Sequence, residues 1–503
     1  MKKIFILLIA LISMLSSCSN FDDINTNPDT TTKVTSEMLA TEALKQSFLS
    51  EGDAKAYLSH NTLSKYIAMA KETPSEQYNL VGTYSFSRYT IFPNLENMVS
   101  YSLGTIYENS FKGLSSFLQA YNLYYLTMMT GDIPCSEAAQ ALSGLRKPKY
   151  DLQKDVFDDI LSLLKTADEY FADARNFNGD FIYEGDVQKW RKATNMFRLK
   201  VIMSMSKKIT SDKKELFNSI VQDNNLMASN DDNLNVVYTT TIDTWHPLYN
   251  QTLFNPYTAV SSLVVDEFKS LEDRRLFYVA EPTVKSIEEG KLETDYDAYT
   301  GADPSSTIEK LSVDYSNNEY SIINNRYISE EAGDPLLILS YSEQCFIIAE
   351  AVELGWMSGD SKEYYENGVK ASLSLFASYD ANNTYNHGMS IDDDYINTYT
   401  EVNAAYATSK EDRLKQIWMQ KYFTKFLQNG YDAYWDFRRT AYPEYPIDPA
   451  TNLNIDNKDG FPTRWAYPSD EYQTNEDNLK EALERQFTNG YDGTNELMWI
   501  LTD

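Results

Sequence analysis

Few side chains in this sequence could act as a general base near neutral pH, because histidine occurs only at His60, His246 and His387. The chain contains neither a Gly-x-Ser-x-Gly elbow nor a His-Glu-x-x-His helix. Pairs of carboxylates carry little information, because 74 acidic residues produce them by chance. We therefore expect no enzymatic activity. The alternative is a hydrolase whose base is His246, between Trp245 and Pro247.

Aromatic side chains are the second informative group, since 38 tyrosines help to bring the aromatic content to 14%. Tyr and Trp combine an apolar ring face with a polar tip, which suits the stacking of a ring-shaped ligand. Three stretches without helical periodicity, near 73–92, 223–257 and 286–325, predict loop insertions that carry such residues. Each candidate could instead pack against the scaffold. The candidate ligand contacts are Tyr78, Tyr84, Trp245, Tyr249, Tyr257 and Tyr296.

Cys18 closes the N-terminal stretch in a way that predicts lipidation. Lys2 and Lys3 precede an apolar run that is too short to be a stable membrane span, and Leu15-Ser16-Ser17-Cys18 follows it. This ending resembles the bacterial lipobox, whose cysteine is diacylated and becomes the first residue of the mature chain. We expect residues 1–17 to be a signal peptide and 18–35 a lipidated, flexible leader. An ordinary signal peptide with an incidental cysteine is the alternative.

The other two cysteines, Cys135 and Cys345, could form a disulfide outside the cytoplasm. Both lie in apolar segments, which favours two buried free thiols. The stretch 295–301 is rich in oxygen ligands but lacks the spacing and the closing Glu of an EF-hand. We expect neither a metal site nor a cofactor.

The formal net charge of −30 argues against nucleic acid as a partner, because a nucleic-acid binder needs a basic face. The same charge argues against broad electrostatic adhesion to anionic lipid. Any membrane attachment must therefore come from the acyl chains on Cys18. No stretch after Cys18 is long and apolar enough to predict a transmembrane helix.

Helices are the elements that must position these residues. Apolar side chains recur at steps of three and four from Phe111 to Met128, which predicts a helix with one buried face that ends at Gly131. Asp151 is the expected cap of the next helix. The stretch 336–373 predicts two antiparallel helices, similar to a tetratricopeptide-type hairpin. Further periodic stretches predict helices at 36–50, 56–70, 190–205, 260–271 and 411–428.

Two adjacent arginines, Arg438 and Arg439, lie among aromatic residues close to Asp432 and Asp436. Buried charges need partners, so this pattern predicts a network of ion pairs.

These pieces, in their order and spacing, resemble the SusD/RagB family of outer-membrane lipoproteins from Bacteroidetes. The segment Asp-Phe-Arg-Arg-Thr-Ala-Tyr-Pro, which ends at Pro443, is similar to a signature of the SusD-like branch. Asp22 and Asp23 are similar to the surface-export signal of such lipoproteins. One departure is Cys135, where relatives tend to carry an aromatic residue. The other matching segments are 25–29, 131–138, 148–151, 190–192, 349–356, 364–372 and 464–468.

The resemblance implies a mainly α-helical body in which tetratricopeptide-type helix pairs form a scaffold and loop-rich insertions form the ligand site. Residues 36–503 would be a single domain. Proteins of this family are lids on a SusC-type TonB-dependent transporter, to which they pass oligosaccharides or peptides, and they are not enzymes. The resemblance therefore predicts a binding protein that its lipid holds on the outer face of the outer membrane. A lipid-anchored hydrolase and a structural surface adhesin are the alternatives.

Overall fold

The computed structural model describes residues 33–49, 54–138, 140, 144–242 and 244–503. The predicted signal peptide, Cys18 and nearly all of the leader lie outside the described residues. The described chain is mainly α-helical, as predicted, with four short strands. None of its helices is long and apolar enough to cross a membrane.

The helices of the first half are α1 (Ser36–Phe48), α2 (Ala54–Leu63), α3 (Phe92–Ser102), α4 (Glu108–Thr130), α5 (Gln153–Ala172), α6 (Val187–Ser204), α7 (Ser211–Gln222) and α8 (Ser262–Ser270). Those of the second half are α9 (Leu276–Val279), α10 (Val284–Glu288), α11 (Ile308–Ser316), α12 (Arg326–Ser329), α13 (Tyr341–Glu353), α14 (Ser361–Tyr379), α15 (Asp393–Glu401), α16 (Lys410–Thr424), α17 (Gly430–Thr440), α18 (Glu471–Thr474) and α19 (Glu476–Gln486).

The strands form two antiparallel pairs. β1 (Ile67–Met69) pairs with β3 (Thr258–Val260), and β2 (Leu234–Val236) pairs with β4 (Leu336–Leu339) across a bulge. Each pair joins segments that are far apart in the sequence, so the strands tie the loops to the helical scaffold.

The longest helix, α4, follows the prediction. Its apolar residues from Phe111 to Met128 are buried, and its last turn is closed by the N–H of Gly131, which donates to Thr127 O at 3.0 Å. Gly131 has a φ of +103°, a conformation that side-chain-bearing residues rarely adopt. The chain therefore leaves the helix where the glycine allows it.

Neighbouring helices pack as antiparallel pairs. Asn109, at the start of α4, donates to Asp173 O after the end of α5, and Gln153, at the start of α5, donates to Thr127 O near the end of α4. In the second half, Ser361 at the start of α14 bonds to Glu353 at the end of α13. The predicted pair at 336–373 is thus present, although its first residues form β4.

Two local predictions were wrong. Helix α2 ends at Leu63, because Lys65 takes a φ of +60° and the next residues pair as β1. Asp151 does not cap α5. Its carboxylate accepts the N–H groups of Cys135 and Ser136 instead, while Asp132 accepts the N–H of Gln153 at 2.7 Å.

A network of buried charges joins four helices, and we call it the buried ion cluster. Lys425 contacts Glu343 at 2.7 Å, Lys421 contacts Asp436 at 2.8 Å, and Lys200 contacts Asp432 at 2.5 Å. Its members, four acids and four bases, come from α6, α13, α16 with the residue after it, and α17. They are Lys200, Glu343, Glu350, Lys421, Lys425, Asp432, Asp436 and Arg439.

The predicted network therefore exists, but its membership differs from the prediction. Arg439 pairs with Glu350 at 2.5 Å and with Asp436 at 3.4 Å. Arg438 donates instead to the carbonyl oxygens of Thr463 and Met128. Lysines from other helices, which no local pattern connects to α17, neutralise the remaining acids.

One hydrophobic core cluster contains residues from Ala40 in α1 to Leu501 near the end of the chain. A single domain over residues 36–503 stays a prediction, and the continuous core agrees with it.

Candidate ligand-binding surface

The connection between β2 and β3 carries three of the six aromatic residues predicted to contact a ligand. We call residues 237–257 the aromatic connection. Trp245 and Tyr249 form an edge-to-face pair with ring centroids 5.2 Å apart, and 38% of Trp245 is exposed. Val237, Ile242 and Leu253 of the same connection are also exposed. An aromatic pair on a loop, with a ring accessible to solvent, can offer a stacking face to a ligand.

The polar tips of this pair are directed to the protein. The indole N–H of Trp245 donates to Thr240 O at 3.3 Å, and the hydroxyl of Tyr249 donates to Glu331 at 3.3 Å. These bonds orient the rings and leave ring faces as the groups that a ligand can use.

His246, the residue after Trp245, is buried and holds the loop. Its Nδ1 accepts the N–H of Leu248 at 3.2 Å, and its ring packs edge-to-face against Tyr57 and Tyr238. Gly333 allows this packing, because a Cβ there would lie 2.6 Å from the imidazole Cγ. Burial lowers the pKa of His246 to about 4. A buried imidazole in this position supports the loop and is out of reach of a substrate in solvent.

Tyr257, at the end of the aromatic connection, belongs to a second aromatic group. Its ring makes an edge contact with Tyr315 at a centroid distance of 5.2 Å, and Lys71 Nζ lies 3.9 Å from the centre of the Tyr257 ring. The N–H of Ala70 donates to Tyr257 O at 2.9 Å, which holds Lys71 beside the ring. An exposed cation on a ring face is a weak contact that a ligand can displace.

Tyr78 is close to the same group through the segment 303–315. Its hydroxyl donates to Ser306 O at 2.9 Å, and Ser312 of the same segment donates to Ala70 O. Burial raises the pKa of Tyr78. The segment 303–315 thus contacts the surroundings of both Tyr78 and Tyr257.

The structure does not bring Tyr296 to these residues. Its ring packs against Phe277 at a centroid distance of 4.9 Å, and within the described ranges no ring contact joins it to Tyr78, Tyr257 or Trp245. Burial raises its pKa.

Tyr84 lies beside a cavity that the sequence did not indicate. Its N–H donates to Ala466 O, and its hydroxyl accepts the Nε–H of Arg88 at 3.2 Å. The Arg88 guanidinium lies 3.9 Å from the centre of the Tyr125 ring. The cavity has a volume of about 40 Å³, and its aromatic and basic lining consists of Phe48, Tyr57, His60, Arg88, Tyr121 and Tyr125.

Sequence reasoning missed this cavity because the aromatic residues of its wall lie on helices. The spacing of Tyr121 and Tyr125 is that of a buried helix face, and nothing in it distinguishes packing from lining a cavity. The pair Arg88 and Tyr84, separated by four residues in a polar aromatic loop, was the available signal.

A wider cleft of about 360 Å³ includes Phe92, Leu123, Cys135 and Asp159 in its wall. Cys135 is half-buried and free, and Cys345 is buried and free, so the two do not form a disulfide. Burial raises the pKa of the Cys135 thiol, which lies 3.5 Å from Asp159. Within the described ranges, no group of three or more His, Cys, Asp or Glu side chains is arranged to hold a metal ion.

Comparisons with known proteins identify the class of this chain. The profile of the SusD-like family, described as starch-binding and associating with the outer membrane, matches residues 28–468. The chain belongs to this family. A search of curated proteins gives no match.

Solved structures agree with the assignment. The chain is 39% identical to a SusD homologue from Bacteroides fragilis, with a TM-score of 0.89 over 93% of this chain and 100% of the homologue. It is 30% identical to another from the same species, with a TM-score of 0.81 over 93% and 99%. The chain is also 29% identical to an outer-membrane protein of Bacteroides vulgatus that is described in terms of nutrient binding. The TM-score is 0.84 over 93% of this chain and 100% of that protein.

Proposed function

We propose that this protein binds oligosaccharides at the cell surface and delivers them to a SusC-type TonB-dependent outer-membrane transporter. The observation that carries the proposal is the aromatic connection, which places the rings of Trp245, Tyr249 and Tyr257 on loops of a helical scaffold. Sugar rings present apolar C–H faces that stack on such side chains. The family description, starch-binding and associating with the outer membrane, supports the same ligand class.

The proposal includes the attachment and the address of the protein. Cys18, at the end of the lipobox-like stretch, carries the acyl chains, and the leader from Ser19 onward connects them to the helical body. With two or more chains, anchoring is stable. The acidic pair Asp22 and Asp23 directs the protein to the outer face of the outer membrane.

The proposed ligand contacts are the rings of the Trp245–Tyr249 pair and the ring of Tyr257 in its separate aromatic group. Because the polar tips of Trp245, Tyr249 and Tyr78 are bonded to the protein, ring faces provide most of the contact. Tyr84 is a further candidate contact, although the cavity of about 40 Å³ beside it is too small for a sugar ring. Tyr296 is the weakest of the six candidates, because its ring packs on Phe277.

A glycan array probed with the full-length lipoprotein in detergent tests the proposal, followed by calorimetry with the best glycan and mass spectrometry of the recovered ligand. We expect binding that leaves the ligand intact. Cleavage of the ligand would establish the hydrolase, and binding to a peptide library without binding to glycans would contradict the oligosaccharide.

The transporter requires its own experiment. A pull-down from outer membranes should recover a TonB-dependent barrel, and the gene for such a barrel should be adjacent to the gene for this protein. If neither is found, while the protein adheres to surfaces and binds no soluble oligomer, the protein is a structural adhesin.

A further inference from the structure

Large apolar side chains are exposed at one end of the helical body, and we call this region the apolar end. Ile106 is 71% exposed and Leu103 is 57% exposed. Exposed apolar side chains that occur singly need no explanation, but a group of them marks a surface that meets an apolar partner. The group consists of Val34, Met38, Tyr101, Leu103, Ile106 and Phe181.

Hydrogen bonds between helix ends bring these residues together. Ser36, at the start of α1, donates to Met98 O in the last turns of α3 at 2.8 Å. Thr41 of α1 donates to Gly179 O at 2.7 Å, two residues before Phe181. The start of α4 is joined to the end of α5, because Asn109 donates to Asp173 O at 3.0 Å.

The loop between α3 and α4 is built to enter an apolar environment. The N–H of Gly104 donates to the Glu108 carboxylate at 2.8 Å, and the N–H of Thr105 donates to Ser102 O at 3.0 Å. The Glu108 carboxylate is also paired with Lys112 at 2.5 Å. The N–H groups of Gly104 and Thr105 are therefore already bonded, which lowers the cost of removing the tip of the loop from water.

The leader ends at this part of the body. Lys33, which precedes Val34, lies fifteen positions after Cys18, so a fully extended leader reaches about 50 Å. The apolar end is therefore the part of the described body that is nearest to Cys18 along the chain.

The loop that carries Tyr84, one of the candidate ligand contacts, lies at the other end of α4. Trp465 donates its N–H to Met129 O there, and Ala466 accepts the N–H of Tyr84. A helix of 23 residues is about 35 Å long. The apolar end and Tyr84 are thus separated by the length of α4.

We propose that the apolar end rests in the outer leaflet of the membrane beside the acylated Cys18, so that a lipid surface is its partner. Leu103 and Ile106 enter the acyl region, and Tyr101 lies at the interface, where its ring and hydroxyl suit both phases. The contact is apolar, so it depends little on salt. This inference rests on the lipidation that the proposed function includes.

The test places a fluorescent label at Ile106→Cys in the full-length lipoprotein, with Cys135→Ser to remove the half-buried native thiol. The protein is reconstituted through its own anchor into phosphatidylethanolamine–phosphatidylglycerol vesicles that contain a phospholipid with a nitroxide on its acyl chain. The matched control carries the label at Val402→Cys, which is 67% exposed on another helix end. We expect the nitroxide to quench the label at position 106 and not the label at position 402.

A second variant measures the contribution of the loop. With the label at Tyr101→Cys, replacing both Leu103 and Ile106 by Ser should shift the equilibrium away from the membrane by about tenfold for each side chain. Unchanged quenching in the double variant would contradict the proposal.

The outcomes separate this inference from the proposed function. If mass spectrometry finds acyl chains on Cys18 but the label at 106 is not quenched, the membrane contact is wrong and the ligand-binding function is unaffected. If the label becomes protected only when outer-membrane proteins are added, the partner is a protein and the inference is wrong. Absence of acyl chains on Cys18 would contradict both this inference and the proposed lipid attachment, but not ligand binding.

Discussion

The buried ion cluster and the aromatic connection both gather side chains with hydrogen-bonding tips, but they satisfy them differently. In the cluster, Glu343 is 3% exposed and lies within salt-bridge distance of Lys200, Lys421 and Lys425. In the connection, Trp245 is 38% exposed and bonds one backbone carbonyl through its only donor. The cluster has equal numbers of acids and bases and is complete without a ligand, whereas the connection has ring surface left over.

The difference teaches where binding energy is available. Charges in a dry core stabilise only when every partner is present, so the cluster has no charged group left over for a ligand. A ligand can cover the ring faces at the surface without breaking a hydrogen bond, since the polar tips of these side chains are already bonded to the protein. Disruption of the cluster should therefore affect folding, and disruption of the connection should affect binding.

The largest effect is expected from Glu343→Gln. The substitution removes the negative charge that Lys200, Lys421 and Lys425 share, so positive charge in the core is left without a counter-charge. It should lower the free energy of unfolding by about 3–5 kcal/mol. Equilibrium denaturation in urea measures the loss. The control is Glu411→Gln, which breaks an exposed pair with Lys415 and should leave stability unchanged. Equal stability of the two variants would show that the cluster contributes nothing.

Acid should act on the same cluster. Burial alone would raise the pKa of Glu343, but Lys200, Lys425 and Lys421 lower it to about 2. A carboxyl whose pKa is depressed on folding contributes stability above its ordinary pKa of 4.5 and loses it as the pH falls toward 2. The contribution is about 3 kcal/mol. Denaturation at a series of pH values should show a shallower decline for Glu343→Gln, and parallel curves would contradict this assignment.

The same contrast explains what the sequence could and could not predict. The burial of α4 from Phe111 to Met128 follows from local periodicity, and so does its end at Gly131. The partners of Asp432 do not, because Lys200 lies more than two hundred residues away and only tertiary packing brings it there. Local pattern also does not show that the helix predicted over 56–70 ends before Lys65 and that a strand begins at Ile67.

The candidate site divides in the same way. An aromatic residue in a polar loop indicates exposure, and the exposed Trp245 agrees with that pattern. The burial of His246 one residue later depends on Tyr57, Tyr238 and Gly333, which are distant in the sequence. Whether these aromatic residues contact a ligand remains a prediction.

A ligand-binding effect comes next in size. Trp245→Ala removes the exposed ring of the pair and should weaken oligosaccharide binding by about tenfold, the equivalent of about 1.4 kcal/mol for one stacking contact. Calorimetry with the glycan found on the array measures it. Tyr472→Ala, which removes a ring that is 43% exposed on α18, is the control and should not change the affinity. If both variants bind equally well, the aromatic connection is not the binding surface.

A smaller effect, of opposite sign, is expected from Lys71→Ala. Its ammonium covers the Tyr257 ring at 3.9 Å, and a ligand that stacks there must displace it. Removing a contact worth about 0.5–1 kcal/mol should strengthen binding by about two- to fivefold. Lys362→Ala, at an exposed pair on α14, is the control in the same titration. Weaker binding by Lys71→Ala would mean that the ammonium contacts the ligand.

The smallest effect is expected from a histidine in a loop, and it tests whether ion pairs near the surface stabilise a segment as the buried ion cluster stabilises helices. His387 lies between Glu293, at 3.1 Å, and Glu281, at 3.6 Å. Burial alone would lower its pKa, but the two carboxylates raise it above the ordinary value. A histidine whose pKa is raised on folding contributes stability at low pH and loses it as the pH rises through the folded pKa.

The segment 290–299, which carries Tyr296, should therefore open more readily at about pH 8 than at about pH 6. Hydrogen exchange, corrected for the intrinsic pH dependence of amide exchange, measures this protection. His387→Gln can still bond to one carboxylate but does not titrate, so its corrected protection should be the same at both pH values. Because Glu293 is 60% exposed in its side chain, solvent screens the pair and the difference should be small, in contrast to Glu343. A large loss of protection at high pH would mean that a partly exposed ion pair stabilises its segment as strongly as the buried ion cluster stabilises the helices. Burial would then not explain the difference in stabilisation between the cluster and the surface loops.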